Sequence, residues 1–152
     1  MLTTWLFVTA IDTSEIDAAA NSGADVVIVD LEDFTPPHLR AKGRAVLGDT
    51  LSGISKAGPM TCVRINPTGS ADHDADLIAA LNAGAQIISL PKTTSSAELH
   101  DLALAIRNHL GDGASCPGLL PCIETAEGLV NTYSILKQSP PLLGWLTASD
   151  DM

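Results

Sequence analysis

The stretch SGADVVIVDLED, residues 22–33, joins a glycine stop, an unbroken apolar run and a burst of acids. Its middle, DVVIVD (25–30), is rich in β-branched residues and reads as a strand. The run does not alternate, so both faces of that strand meet protein, as in a parallel sheet covered on both sides. Runs of the same kind lie outward from it: TWLFV (4–8), MTCVRI (60–65), QIISL (86–90), GLLPCI (118–123) and LLGWLTA (142–148). Successive starts are 21, 35, 26, 32 and 24 residues apart, room for one helix in each interval. Strand–helix alternation at this spacing builds βαβ units and a parallel sheet.

Helix signals fill the intervals. Asp12 and Glu15 have the spacing of a capping box, and Gly23 stops that helix before the second strand. Pro36-Pro37 suits the first turn of the next helix. Asp72–Ala83 puts Leu77, Ile78 and Leu81 on one face and ends at Gly84. Ser96–Leu110 repeats the pattern with Leu99, Leu102, Ala103 and Ile106, and Ala126–Lys137 with Leu129, Val130, Tyr133 and Leu136. No linker, repeat or low-complexity tract interrupts residues 1–152, which read as a single α/β domain.

Composition narrows the function. The 152 residues are 45% hydrophobic, enough to bury a core, and carry 18 acids against 8 Lys+Arg. A formal charge of −10 argues against a nucleic-acid partner and against anionic membranes. No apolar run reaches the roughly 18 residues of a spanning helix, and the opening MLTTWLFVTA has no basic segment, so the expected compartment is the cytoplasm. Cys62, Cys116 and Cys122 form no C-x-x-C pair; Cys62 and Cys122 read as small core residues.

In parallel α/β proteins chemistry collects at the carboxyl ends of the strands. Here those ends read Asp30-Leu31-Glu32-Asp33, Arg64-Ile65-Asn66-Pro67, Pro91-Lys92, Glu124-Thr125 and Asp150-Asp151. Six acids and two bases thus meet on one rim. Pooled carboxylates repel unless a cation sits among them, and a hard ion such as Mg²⁺ takes one or two and leaves positions for water and substrate oxygens. Glu124 and Asp151 suit that ion, with Asp30, Glu32 and Asp33 orienting its waters or Arg64. Arg64 suits a carboxylate or an enolate-like oxygen. Taken singly, each residue has a plainer reading. Asp30–Asp33 can cap the helix near Pro36, and Glu124 can serve a helix dipole. Lys92 can face solvent, Arg64 can only pair with the nearby acids, and Asp150-Asp151 can be a solvated tail.

The histidines, His38, His73, His100 and His109, share no spacing and read as surface residues. Asp72, His73, Asp74 and Asp76 open a helix, where acids are favourable without a metal. Gly111-Asp112-Gly113 is followed by Ala-Ser-Cys, so no dinucleotide-binding fingerprint is present, and there is no P-loop.

SGADVVIVDLED (22–33), VRINP (63–67), ALNAGAQIISLPK (80–92), IETAEGL (123–129) and TASDDM (147–152), in this order, resemble the citrate lyase beta-subunit-like branch of the HpcH/HpaI aldolase family. That family also includes malyl-CoA and citramalyl-CoA lyases. The resemblance implies a TIM (β/α)8-type barrel, Mg²⁺ dependence and cleavage or formation of a carbon–carbon bond. A 3-hydroxyacyl-CoA would give a 2-oxo acid and an acyl-CoA. By position, Glu124 and Asp151 look like the magnesium ligands and Arg64 like the catalytic, enolate-stabilising residue. Glu32 and Asp33 look like its catalytic support, and Asp30 and Lys92 join Arg64 in binding substrate. A homo-oligomer of the family's trimer type is also implied. The chain departs from the family pattern in two places. Thr9-Ala10-Ile11-Asp12 replaces a Pro-Gly-Ser-type loop, and Ala148-Ser149-Asp150-Asp151-Met152 replaces Gly-Ala-Glu-Asp-Leu while keeping the ligand position.

A full barrel takes about 250 residues. Six strands are legible here, so the expectation is an incomplete barrel of about six βα units, lacking the last two. The alternative function is that of a non-catalytic remnant that oligomerises or binds a partner through open strand edges.

Overall fold

A computed structural model describes residues 2–147. Six strands, β1 (Trp5–Thr9), β2 (Val26–Asp30), β3 (Met60–Arg64), β4 (Ile87–Leu90), β5 (Gly118–Ile123) and β6 (Leu146–Thr147), pair in chain order, all parallel. Helices α1 (Thr13–Ala20), α2 (Arg40–Ala57), α3 (His73–Asn82), α4 (Ser96–Leu110) and α5 (Ala126–Gln138) connect successive strands. A strictly sequential order is that of a (β/α)8-type barrel; a doubly wound sheet would reverse direction part-way. The chain is an incomplete barrel of this type. Among the described residues β1 and β6 pair on one side only.

Parity along the strands separates two cores. Val27, Val29, Val63, Ile88 and Leu119 face the helices and pack with Leu47, Leu51, Leu99 and Ile106. Val26, Ile28, Cys62, Ile87 and Leu120 face the barrel interior, where Trp5, Phe7, Met60 and Leu146 join them. The strands read as unbroken apolar runs because each side is buried against a different partner.

Local signals act largely as read. Asp12 caps α1, accepting from the Ser14 and Glu15 amides at 2.9 and 3.1 Å. Pro37 opens a 3₁₀ turn, Pro37–Leu39, which runs into α2. Cys62 and Cys122 are buried, as expected. Three expectations are corrected. Among the described residues the sixth strand is only Leu146–Thr147, although the Leu143 N–H already donates to the Leu119 carbonyl of β5 at 3.0 Å. Ile78 is exposed, since α3 turns Asp76, Leu77, Ala80 and Leu81 inward instead. On α5, Leu129, Val130 and Tyr133 face out, at 51%, 84% and 75% exposure. The buried stripe of α5 runs through Gly128 and Ile135, because Gly128 touches the β4–α4 loop and sets the helix's rotation.

Candidate active site

At the carboxyl ends of the strands the interior-facing positions turn from apolar to polar. Val26 and Ile28 lead to Asp30, Cys62 to Arg64, Ile87 to Ser89, and Leu120 and Cys122 to Glu124. Asp30 and Arg64 are partners in the β2–β3 register. Arg64 Nε donates to Asp30 Oδ1 at 2.9 Å and Nη2 to Oδ2 at 2.5 Å. Asp30 also accepts the backbone N–H groups of Glu32 and Phe34, at 2.8 and 3.0 Å. The chain after β2 therefore folds back over the mouth. Arg64 Nη1 lies 3.4 Å from Glu32 Oε2. The guanidinium carbon sits 4.9 Å from the Phe7 ring centre and 5.7 Å from that of Phe34. Burial opposes the Arg64 charge, but the bond to Asp30 and the charges of Asp30, Glu32 and Glu124 keep its pKa above the ordinary arginine value.

Lys92 joins the two remaining buried carboxylates. Its backbone is left-handed, with φ 51°, a conformation uncommon for a side-chain-bearing residue and characteristic of functional loops. That turn lets its N–H donate to Glu124 Oε1 at 2.9 Å while Nζ donates to Glu32 Oε1 at 2.5 Å. Asp33 Oδ1 lies 3.7 Å from Nζ. The bond to Glu32 leads the effects that raise the Lys92 pKa. Glu124 Oε2 accepts from the Cys122 thiol at 3.1 Å, and burial followed by that carboxylate pushes the thiol pKa up. Two buried oxygens of the interior, Glu32 Oε2 and Ser89 Oγ, have no hydrogen-bond partner among the described residues. Burial raises the Glu32 pKa above the usual carboxylate range despite Lys92 and Arg64.

The sequence pattern of the HpcH/HpaI aldolase/citrate lyase family matches residues 3–152. This chain belongs to that family. Relatives include the citrate lyase subunit beta-like protein of Mycobacterium tuberculosis, 32% identical over 148 residues that make up 97% of this chain and 48% of that protein. Citrate lyase subunit beta of Leuconostoc mesenteroides is 26% identical over 151 residues, 97% of this chain and 50% of its own length. Among solved structures, CitE of M. tuberculosis in complex with magnesium, acetoacetate and coenzyme A superposes with a TM-score of 0.76 at 31% identity, covering all of this chain and 51% of that one. The chain spans about half the length of the curated relatives it matches.

Within this family fold, Asp30, Glu32, Asp33, Arg64, Lys92 and Glu124 meet at one mouth. Asp150 and Asp151 lie outside the described residues. Among the described residues no three His, Cys, Asp or Glu side chains form a metal cluster. The capping alternative for Asp30–Asp33 is not what these side chains do. Asp30 serves Arg64 and its own loop, and the 3₁₀ turn has no side-chain cap. Thr125 caps α5 through the Gly128 N–H at 3.0 Å, which frees Glu124 to turn inward. Arg64 grips Asp30 with Nε and Nη2, so Nη1 is the edge left facing Glu32.

Phe7, Phe34, Ser89 and Cys122 escaped the reading of strand ends. Counting alternate positions upward from Trp5, Val26, Ile87 and Leu120 finds all but Phe34. His38, His100 and His109 are exposed, but His73 is half-buried, its Nδ1 2.8 Å from the Asn66 carbonyl. Asp76, expected only to serve the α3 dipole, is fully buried and bound to Asn66 and Arg44.

Proposed function

We propose that this polypeptide carries the Mg²⁺-dependent carbon–carbon lyase chemistry of its relatives, cleaving or forming a 3-hydroxyacyl-CoA from a 2-oxo acid and an acyl-CoA. The observation that carries this is the pair of buried carboxylates, Glu32 and Glu124, bridged by Lys92 and set opposite Arg64 at the barrel mouth. The donor set fits a hard divalent cation: Glu124 is fully buried, each oxygen takes one donor from the chain, and Glu32 Oε2 takes none. Glu124 and Asp151 would hold Mg²⁺, which supplies Lewis-acid polarisation of the 2-oxo acid when bound.

The remaining roles belong to side chains of this protein. Arg64 presents Nη1 to negative charge developing on the thioester oxygen, in a site where Phe7 and Phe34 keep water off the guanidinium. In cleavage, Glu32 Oε2 is the free acceptor for the substrate hydroxyl proton, and its raised pKa suits that task. Lys92 fixes the other Glu32 oxygen and, with Asp33, faces the anionic substrate. Asp30 is saturated by donors of the chain and serves substrate binding through Arg64.

Calorimetry with Mg²⁺, alongside assays with malyl-, citramalyl- and citryl-CoA, tests the proposal. Binding is expected in the wild type and lost in Glu124→Ala and Asp151→Ala. Unchanged affinity in both variants overturns the metal assignment. A folded chain that cleaves none of the thioesters with Mg²⁺ present overturns the lyase reading.

Two observations favour a second reading, an associating module. The exposed Leu129, Val130 and Tyr133 stripe of α5 and, among the described residues, the one-sided pairing of β1 and β6 are surfaces that self-association would cover. Sedimentation of an active monomer would count against it.

A further inference from the structure

We propose that Arg40 and Asn66 are positioning residues for Glu32, held in place by an ion network on the outer side of the mouth; the inference rests on the lyase reading above. The two peptide units flanking the Glu32 α-carbon are both clamped through their carbonyls. Asn66 Nδ2 donates to the Leu31 carbonyl at 2.9 Å, and Arg40 Nη2 donates to the Glu32 carbonyl at 3.1 Å. With the Glu32 N–H given to Asp30 at 2.8 Å, the backbone on both sides of this residue is fixed. The backbone sets the Cα–Cβ direction, so the clamp starts Glu32 toward Lys92 and Arg64, whose contacts then hold its carboxylate.

Each clamp is itself anchored. Asp76, fully buried on α3, accepts the Asn66 N–H and Nδ2 on one oxygen, at 2.9 and 2.6 Å, and Arg44 on the other at 2.7 Å. Asp72, one turn earlier, accepts Arg44 at 2.9 Å and Arg40 at 3.1 Å. Two arginines of α2, Asp72 just before α3 and Asp76 within it therefore form a closed chain between the carbonyls of the acidic loop. Among the described residues the side-chain hydrogen bonds of Arg40, Arg44, Asp72 and Asp76 all end on one another, on Asn66 or on that loop. Their effect on the reaction passes through the placement of Glu32, where a displacement of about 1 Å is enough to cost up to a hundredfold in rate.

Hydrogen exchange at the Glu32 and Phe34 amides reads the loop without substrate. In the full chain, Arg40→Ala is expected to speed exchange there by about tenfold or more, with the amides of residues 77–82 in α3 little changed. Arg40→Lys, one ammonium in place of a fork, restores part of the protection. Asn66→Ala, which frees the other carbonyl, gives the same selective loosening. No acceleration at Glu32 and Phe34, or a uniform one reaching equally through α3, overturns the proposal. In thioester assays both alanine variants should lose about 10–100-fold in kcat with KM little changed. A loosened loop with wild-type kcat overturns the proposal as well. A wild-type chain without turnover instead fails the lyase reading, and the exchange result then decides the clamp alone.

Discussion

Arg64 and Asp30 stand side by side in neighbouring strands, in register, joined by two parallel hydrogen bonds of 2.9 and 2.5 Å with both side chains buried. Removing the acid leaves a guanidinium in the barrel with its fork empty. Asp30→Ala should destabilise the chain by about 3–5 kcal/mol, the range for breaking one side of a buried pair. Asp30→Asn, which keeps an acceptor, should cost less. Urea denaturation of the two variants tests the order, and equal losses would show that a neutral acceptor does nothing for Arg64 and that the carboxylate's charge carries the pair.

Glu32 behaves in the opposite sense. Its folded pKa is raised by burial, so the unfolded chain loses this proton first as pH rises. Stability from the protonated form is full below the ordinary value of about 4.3 and fades as pH climbs to the raised folded value. Glu32→Gln keeps the shape and removes the charge. Relative to wild type it should be more favourable near pH ~7 than near pH ~4, while turnover falls by about 100-fold. A variant whose stability relative to wild type is no better near pH ~7 than near pH ~4 would contradict this.

Phe34 is 53% exposed yet covers Arg64, and its ring meets Phe7 edge-on with centroids 5.9 Å apart. An exposed cation–π contact is worth about 0.5–1 kcal/mol, so Phe34→Ala should barely change stability. Water admitted to the guanidinium weakens its hold on an anion. Binding of a 2-oxo acid in the presence of Mg²⁺, the ligand class proposed above, followed by calorimetry, should weaken by about tenfold. Unchanged affinity would show that Phe34 does not shield the site.

The acid limb of stability has three identifiable sources, Asp12, Asp25 and Asp72, of which the last two tie separate elements together. Asp25 takes four donors from Thr3 and Thr4 on one oxygen, at 2.7–3.0 Å, and these hold its pKa below the carboxylate range. Arg44, then Arg40, do the same for Asp72. For acids with lowered folded pKa values, the stability they contribute is present above the ordinary value of about 3.9 and is lost as pH falls through the folded values. The melting temperature should drop below about pH 4, and Asp25→Asn or Asp72→Asn should flatten that decline. Melting curves that fall in parallel would rule out these two groups as its source.

Much of this was legible in the chain because strand length, β-branching and glycine stops are local. Ser96–Leu110 forms as read, since Ser95 supplies its cap and Leu99, Leu102 and Ile106 its buried stripe. What escaped depends on distance. Leu129, Val130 and Tyr133 have helical spacing, yet which stripe of α5 is buried is decided by Gly128 meeting a loop far away in sequence. Asp76 looked like a dipole partner because its real partner, Asn66, sits on another element, and nothing near it in sequence announces a buried hydrogen bond. Phe34 was silent for the same reason. Its role appears only once Asp30 bends the loop over Arg64.

Gly128 ties that packing to the site. A Cβ there would lie 2.4 Å from the Thr93 carbonyl oxygen, 3.1 Å from Thr125 Oγ1 and 3.3 Å from Ile123 Cγ2. The first is backbone and cannot swing away, so Gly128→Ala must push α5 or the β4–α4 loop outward. Overpacking of this kind costs about 1–3 kcal/mol. The displaced loop carries Lys92, whose N–H holds Glu124 and whose Nζ holds Glu32, so the strain falls on both carboxylates. Thermal denaturation should show the loss of stability, and Mg²⁺ calorimetry a weaker site. Gly48→Ala in α2, where a Cβ meets nothing within 4 Å, serves as the control; it should leave Mg²⁺ affinity unchanged and raise stability by about 0.5–1 kcal/mol through helix propensity. Wild-type stability and Mg²⁺ affinity in Gly128→Ala would mean that the contact between α5 and Thr93 is not what sets the spacing of the mouth.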